Sequence, residues 1–243
     1  MKKLVINTDD FGLSRGINYS IIEGLRNGIV TSTTAMVMAP DIAHARDLAL
    51  ENPSLGVGCH LCLTAFTSLS KHPQITTSDD EMFKLQCYYD GKEIDEDVIY
   101  KEWDMQIGKF IQLFGKKPTH LDTHHHMHMN MHSANSAMKK IAKKYDVPVR
   151  NMNISGVNAT LSFEFYGETV SEENFKKFTK DLLKEDGFDI YEMCVHNAFL
   201  DVDLLKLSSY NEIRMVEHKI INSKSIKDFI SSLKVKLTNF EVR

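Results

Sequence analysis

Residues 3–38 read KLVINTDDFGLSRGINYSIIEGLRNGIVTSTTAMVM. The apolar run Leu4-Val5-Ile6 predicts a short strand over residues 3–8 that stops at Asp9 and Asp10. Ser14 stands where an N-cap hydroxyl accepts a backbone N–H. Ile17, Ile21, Ile22 and Leu25 recur at helical spacing, and Gly28 supplies the stop. A second β-rich run, residues 29–38, follows directly. Strand, helix and strand in so short a span predict a parallel crossover unit. No glycine-rich phosphate loop follows the first strand, which argues against a dinucleotide or nucleotide-triphosphate fold.

The alternation continues outward from this unit. Asp41 is placed to cap a helix carrying Ile42, Ala45, Leu48 and Ala49, and Leu55–Leu63 alternates as a third strand. Residues 65–92 are polar and irregular, long enough to suggest a lid or substrate loop. A helix is expected over 94–114, closed by Gly115, then a strand from Thr119, then a helix carrying Ala134, Ala137, Met138, Ile141 and Ala142. Val147–Arg150 reads as a strand, 151–170 as irregular, 171–185 as helix and Asp189–His196 as strand. The remainder reads as mostly helical, with a final strand near Leu237–Val242. The expected fold is an irregular α/β barrel of the TIM type, closed or nearly so, with residues 1–243 as a single domain.

Composition narrows the function classes. The chain carries 33 acidic and 29 basic side chains, a net charge of −4, which argues against a nucleic-acid surface. No apolar run approaches the ~18–20 residues that span a bilayer, and the first residues lack a long apolar leader segment. No membrane partner and a cytoplasmic location are therefore expected. Four cysteines do not make a disulfide scaffold at this length. Cys59 and Cys62 read as small buried hydrophobes, since no second pair completes a zinc site.

In β/α folds, catalytic groups collect at the C-terminal ends of strands. Asp9-Asp10, His60, the tract from Thr119 and Cys194-Val195-His196 all fall there. Six of the eleven histidines lie in residues 120–132. If the tract begins as a strand, His120, Asp122, His124 and His126 share a face, with same-face neighbours ~6.7 Å apart. A His-x-His pair at that spacing can chelate one metal ion, and Asp122 is placed to orient a ligand imidazole. Spacing alone does not say which histidine is the ligand. Arg150, at a predicted strand end, is a candidate contact for a substrate phosphate or hydroxyl. Tyr166 is a candidate platform for a sugar ring. Trp103 lies in an apolar helix pattern and reads as core.

Several strings are distinctive as a set: Asn7-Thr8-Asp9-Asp10-Phe11-Gly12, Asn27-Gly28-Ile29-Val30-Thr31-Ser32-Thr33, Gly58-Cys59-His60, Lys117-Pro118-Thr119-His120-Leu121-Asp122-Thr123-His124-His125-His126, Phe165-Tyr166-Gly167-Glu168 and Glu192-Met193-Cys194-Val195-His196. With them the chain resembles the YdjC-like carbohydrate deacetylase family, most closely its chitooligosaccharide (chitin disaccharide) deacetylase branch. The resemblance runs from residue 3 to about 201. It implies a barrel hydrolase that removes acetyl groups from N-acetylglucosamine oligosaccharides, a homodimer, and one divalent metal ion, magnesium or zinc. It places the metal ligands at Asp10, His60 and His124, a base at Asp9 and an acid at His196. One position departs from the family pattern, which has proline after the last histidine where this chain has Asn197.

Two other readings compete. A barrel metallo-phosphoesterase would use more ligands and often two or three metals. A non-enzymatic storage protein would bind several ions through the His/Met tract, where Met127, Met129 and Met131 alternate with His126, His128 and Asn130.

Overall fold

The computed structural model of the protein describes residues 1–241. Its strands are β1 (Lys2–Phe11), β2 (Ser32–Ala35), β3 (Gly56–Leu61), β4 (Leu121–Thr123), β5 (Asn153–Ile154), β6 (Val157–Ser162), β7 (Ile190–Val195) and β8 (Val235–Leu237). They run in the order β4-β3-β2-β1-β7-β6-β5, with β8 added beside the start of β1. Among the described residues, every pairing between these strands is parallel except the β5–β6 hairpin.

This is an α/β fold whose sheet curls as a half-barrel and does not close. The expected near-closed barrel is corrected on that point. The path ends at β4 on one side and at the β5–β6 hairpin on the other. Val149 pairs with Leu121 through a single parallel bridge, so the strand predicted over Val147–Arg150 contributes only that bridge.

Local chemistry explains the elements. Ser14 Oγ accepts from the Ile17 N–H and opens the helix Arg15–Asn27. Asp41 occupies the N-cap position of Ile42–Glu51, but its side chain makes no capping bond. Its carboxylate instead lies 3.5 Å from Arg15 Nε. Gly115, at φ 69°, ends the helix Glu96–Phe114 in the left-handed region. That helix buries Trp103, Ile107 and Phe110 against the sheet side of the core. No helix among the described residues is long and apolar enough to cross a membrane.

Two segments differ from the sequence expectation. The stretch 151–170 contains β5 and β6, and β6 pairs with β7 from Ala159–Ile190 to Ser162–Met193. The last strand is Val235–Leu237, earlier than expected, and Val242 lies outside the described residues. The loop 65–92 holds a short helix, Leu85–Tyr89. Glu102 anchors it by accepting from Ser68 Oγ at 2.6 Å and from the Ser70 N–H at 2.8 Å.

Gly58 lies in β3 close against His120, the residue just before β4. A Cβ there would stand 2.5 Å from His120 Cε1 and 2.8 Å from the His120 carbonyl oxygen. Backbone cannot yield as a flexible side chain can. Gly58→Ala is therefore expected to destabilise the protein by about 1–3 kcal/mol, read as a lower urea midpoint. An unchanged midpoint would show that β3 and β4 separate freely.

Candidate metal centre and active site

The C-terminal ends of β1, β2, β3, β4 and β7 lie side by side. The register pairs Asn7 with Cys194, Thr34 with Gly58 and His60 with Asp122. Consecutive strand residues normally face opposite sides of a sheet. Asp9 and Asp10 nevertheless both line one cavity of about 430 Å³, together with His60, His124, His125, His126, Tyr166, His196 and Arg214. Two backbone features bring this about. Asp10 adopts φ 71°, and the β1–β2 register shifts between Thr8 and Phe11. The left-handed region is uncommon outside glycine, though aspartate tolerates it better than most.

The histidine tract turns for the same reason. β4 stops at Thr123, and His125 and His126 take φ 57° and 52° in a tight helical turn. The strand-face expectation therefore fails from His124 onward. His124, His125 and His126 all reach the cavity. His120 is buried elsewhere, stacked on Phe240 at 3.9 Å. His128 is buried with Nδ1 2.7 Å from Thr123 Oγ1. Met127 is in the core and Met131 packs against it.

Three histidine, cysteine and carboxylate clusters among the described residues have ligand atoms within 4.8 Å of one another. Only the set Asp10, His60 and His124 leaves a charged acceptor unused at its centre. Asp10 Oδ1 is buried without a hydrogen-bond partner. It lies 3.5 Å from His60 Nε2 and 3.4 Å from His124 Nδ1, and those two nitrogens are 3.3 Å apart. An orphaned carboxylate oxygen facing two imidazole nitrogens is a donor set that suits a divalent cation. In the set Asp9, Cys194 and His196, burial above all keeps the Cys194 pKa well above the ordinary thiol value. In the set Asp9, His60 and Asp122, both carboxylates are engaged by Arg150.

The other nitrogen of His60 is fixed. Its Nδ1 lies 2.8 Å from Asp122 Oδ1, so an ionised Asp122 accepts the Nδ1 proton and leaves Nε2 facing Asp10. Burial opposes charge on His60, but Asp122, Asp9 and Asp10 outweigh it and push its pKa up to about 9. The negative field that holds a proton there would also favour a metal cation. For Asp10, burial opposes the charge, while Arg214 and then His124 hold its pKa well below the ordinary value.

Arg150 does not meet the expectation of a substrate contact. Its side chain is fully buried and its guanidinium is consumed by three carboxylates. Nη1 and Nη2 donate to Asp9 Oδ2 and Oδ1 at 2.8 and 2.6 Å, and Nε donates to Glu192 Oε1 at 2.8 Å. Nη1 is also 2.8 Å from Asp122 Oδ2. Against the burial penalty, Arg150 holds Asp9 well below the ordinary carboxylate range. Glu192 absorbs the excess negative charge: burial pushes its pKa up to about 7 despite Arg150.

His196 follows β7, with Nε2 3.8 Å from Asp9 Oδ2. Its backbone N–H donates to Glu217 Oε2 at 2.6 Å. Burial dominates its titration and lowers its pKa to about 4, although Asp9 pulls the other way. Asn197 anchors the loop through its side chain. Its Oδ1 accepts from Thr8 Oγ1 at 2.8 Å and its Nδ2 donates to Ser20 Oγ at 2.6 Å. Tyr166 is half-exposed at the cavity mouth and stacks on Tyr210 with centroids 4.0 Å apart.

Sequence reading missed Glu192, Thr34, Tyr210, Arg214 and Glu217. Glu192 had a signal, because it shares the two-residue period of Cys194 and His196 in an otherwise apolar strand. Arg214 and Glu217 had none, since charged residues on an amphipathic helix read as a solvated face.

Residues 3–232 match the profile of the YdjC-like proteins. The chain is 36% identical over 249 residues to a chitooligosaccharide deacetylase of Enterobacter sp. (strain 638), covering 98% of both chains. It is 36% identical to a carbohydrate deacetylase of Clostridium beijerinckii, covering 98% of this chain and 99% of the other. A crystal structure from Enterococcus faecalis V583, whose description proposes cellobiose-phosphate cleavage, superposes with a TM-score of 0.90 at 29% identity, covering 99% of this chain and 98% of that one. The match along nearly the whole length, with Asp9, Asp10, His60, His124 and His196 gathered at one cavity, establishes that the chain belongs to the YdjC-like family of carbohydrate deacetylases.

Proposed function

We propose that the protein is a metal-dependent hydrolase that removes an N-acetyl group from short chitin oligomers, such as diacetylchitobiose or its 6-phosphate, and releases acetate. The observation that carries this reading is the unpartnered Asp10 Oδ1 facing His60 and His124, in the same cavity as Asp9 and His196. A single magnesium or zinc ion held by Asp10, His60 and His124 would supply Lewis acidity, making water more acidic and polarising the acetyl carbonyl.

The chain's own groups handle binding and protons. Arg150 keeps Asp9 ionised through neutral pH; the Asp9 Oδ2 that accepts from Arg150 Nη1 also faces His196, and its remaining lone pair accepts a proton from the attacking water in this reading. His196 is neutral at rest, because burial lowers its pKa to about 4. As the acid it must acquire its proton during turnover. Asp9 Oδ2 stands 3.8 Å away, so a small shift lets the pair share the proton taken from water. Nε2 then delivers it to the departing amide nitrogen as the C–N bond breaks. Water's oxygen ends in acetate, and the sugar leaves as an amine.

A second cavity of about 410 Å³ shares Asp10, Ala65, Lys84, His124, Leu207 and Ser208 with the first. Two adjoining cavities at one carboxylate suit a substrate longer than a single sugar. Tyr166, backed by Tyr210, offers a flat face for one ring. In this reading residues 1–243 act as one catalytic domain. The four free cysteines suit the reducing cytoplasm. In this reading the protein is a homodimer, and the exposed side chains of Val202 and Leu205 are candidates for its seam.

The test is acetate release from diacetylchitobiose and its 6-phosphate by metal-replete protein, with and without a chelator. Release that stops on chelation and returns with added cation is expected. No release from either sugar would reject the substrate, and release indifferent to chelation would reject the metal.

A further inference from the structure

The helix Ile213–Asn222 begins beside the site and carries Arg214 and Glu217 three residues apart, on one face. The Arg214 side chain is 4% exposed. Its Nη2 donates to Asp10 Oδ2 at 2.6 Å, and its Nε donates to the Tyr210 carbonyl at 2.6 Å. The Tyr210 hydroxyl donates to Glu217, which also accepts the His196 N–H. The guanidinium is thus held in a fixed frame. Its Nη1 is buried without a partner, an unfavourable arrangement that packing alone would not select.

The two oxygens of Asp10 are made unequal by this contact. Oδ2 is taken by a charged donor, while Oδ1 is free and faces both imidazoles. We infer that Arg214 is a positioning residue that restricts Asp10 to ligation through one oxygen and thereby biases the site against calcium. The inference rests on reading Asp10, His60 and His124 as cation ligands.

The selectivity follows from coordination chemistry. Calcium takes six to eight oxygen ligands and often draws both oxygens of one carboxylate. Zinc is satisfied by few ligands of mixed nitrogen and oxygen type. A guanidinium bound to Oδ2 competes for the lone pairs that two-oxygen ligation needs.

The test compares the wild-type protein with Arg214→Met and Arg214→Lys. Zinc and calcium affinities are measured by calorimetry on metal-free protein, and the cobalt-loaded forms by visible absorption. In Arg214→Met the preference for zinc over calcium should narrow by about tenfold, and the cobalt bands should weaken as the coordination number rises. Arg214→Lys keeps a charged donor and should retain the wild-type preference. An unchanged preference and spectrum in Arg214→Met would overturn the role.

Should Arg214→Met fail to fold, a crystal structure of the zinc-loaded wild-type protein decides. Ligation by Oδ1 alone, with Oδ2 still on Arg214, is expected; ligation by both oxygens overturns the role while leaving the metal site intact. If the wild-type protein bound no cation at all, the metal-site reading would fall, and this inference with it.

Discussion

His124→Ala is expected to abolish stoichiometric cation binding and to lower acetate release by at least about a thousandfold. The cluster offers only three donors, and His124 Nδ1 lies within 3.4 Å of the other two. Removing it leaves a carboxylate and one imidazole, too few to hold zinc firmly. The neighbouring His125→Ala provides the contrast. His125 is paired with Thr64, its Nδ1 2.8 Å from Thr64 Oγ1, and it belongs to none of the clusters. That variant should still bind one cation. Metal content per chain and acetate release, measured on both proteins, check the pair of outcomes. Full activity in His124→Ala would sink the ligand assignment.

Arg150→Met should cost about 3–5 kcal/mol of stability, because it strips the counter-charge from three buried carboxylates. A domain is typically stable by only about 5–15 kcal/mol, so one substitution would take much of the margin. Asp9, Asp122 and Glu192 would remain buried with His60 as the nearby positive group. The loss should depend on pH. In the wild-type protein the pKa values of Asp9 and Asp122 lie below the ordinary 3.8, so their stabilisation is present above that value and fades as pH falls through the folded pKa values. Without Arg150 those values rise above the unfolded ones, and stability is recovered on acidification. The gap between the two proteins should therefore be widest near neutrality and shrink toward pH 4. Urea unfolding at several pH values measures it, and a gap that widened on acidification would contradict the charge cluster as its origin.

Much of the scaffold was legible because its signals are local. Leu4-Val5-Ile6 between polar flanks, Ser14 before an amphipathic run and Gly115 after another each act within a few residues. β6 was not legible, since Val157–Ser162 mixes small and polar residues and gains its strand character from pairing with β7. The open edge of the sheet was equally hidden. Nothing local distinguishes a strand at Val147–Arg150 from the single bridge that Val149 makes.

The site divides along the same line. By itself the sequence determined which chemistry is present: two carboxylates, an isolated histidine and a histidine tract, each at the end of a strand. The tertiary structure decided which of them meet. The two-residue period would separate Asp9 from Asp10 and send His125 away from His124. Positive φ at Asp10, His125 and His126 brings all of them to one cavity, while His120 and His128 are drawn off by Phe240 and Thr123. It also decided that Arg150 serves the buried carboxylates, and that Arg214, from a helix two hundred residues away, sits on Asp10. Such backbone turns and distant pairings are held by the packing of the whole sheet, and no short stretch of sequence encodes them.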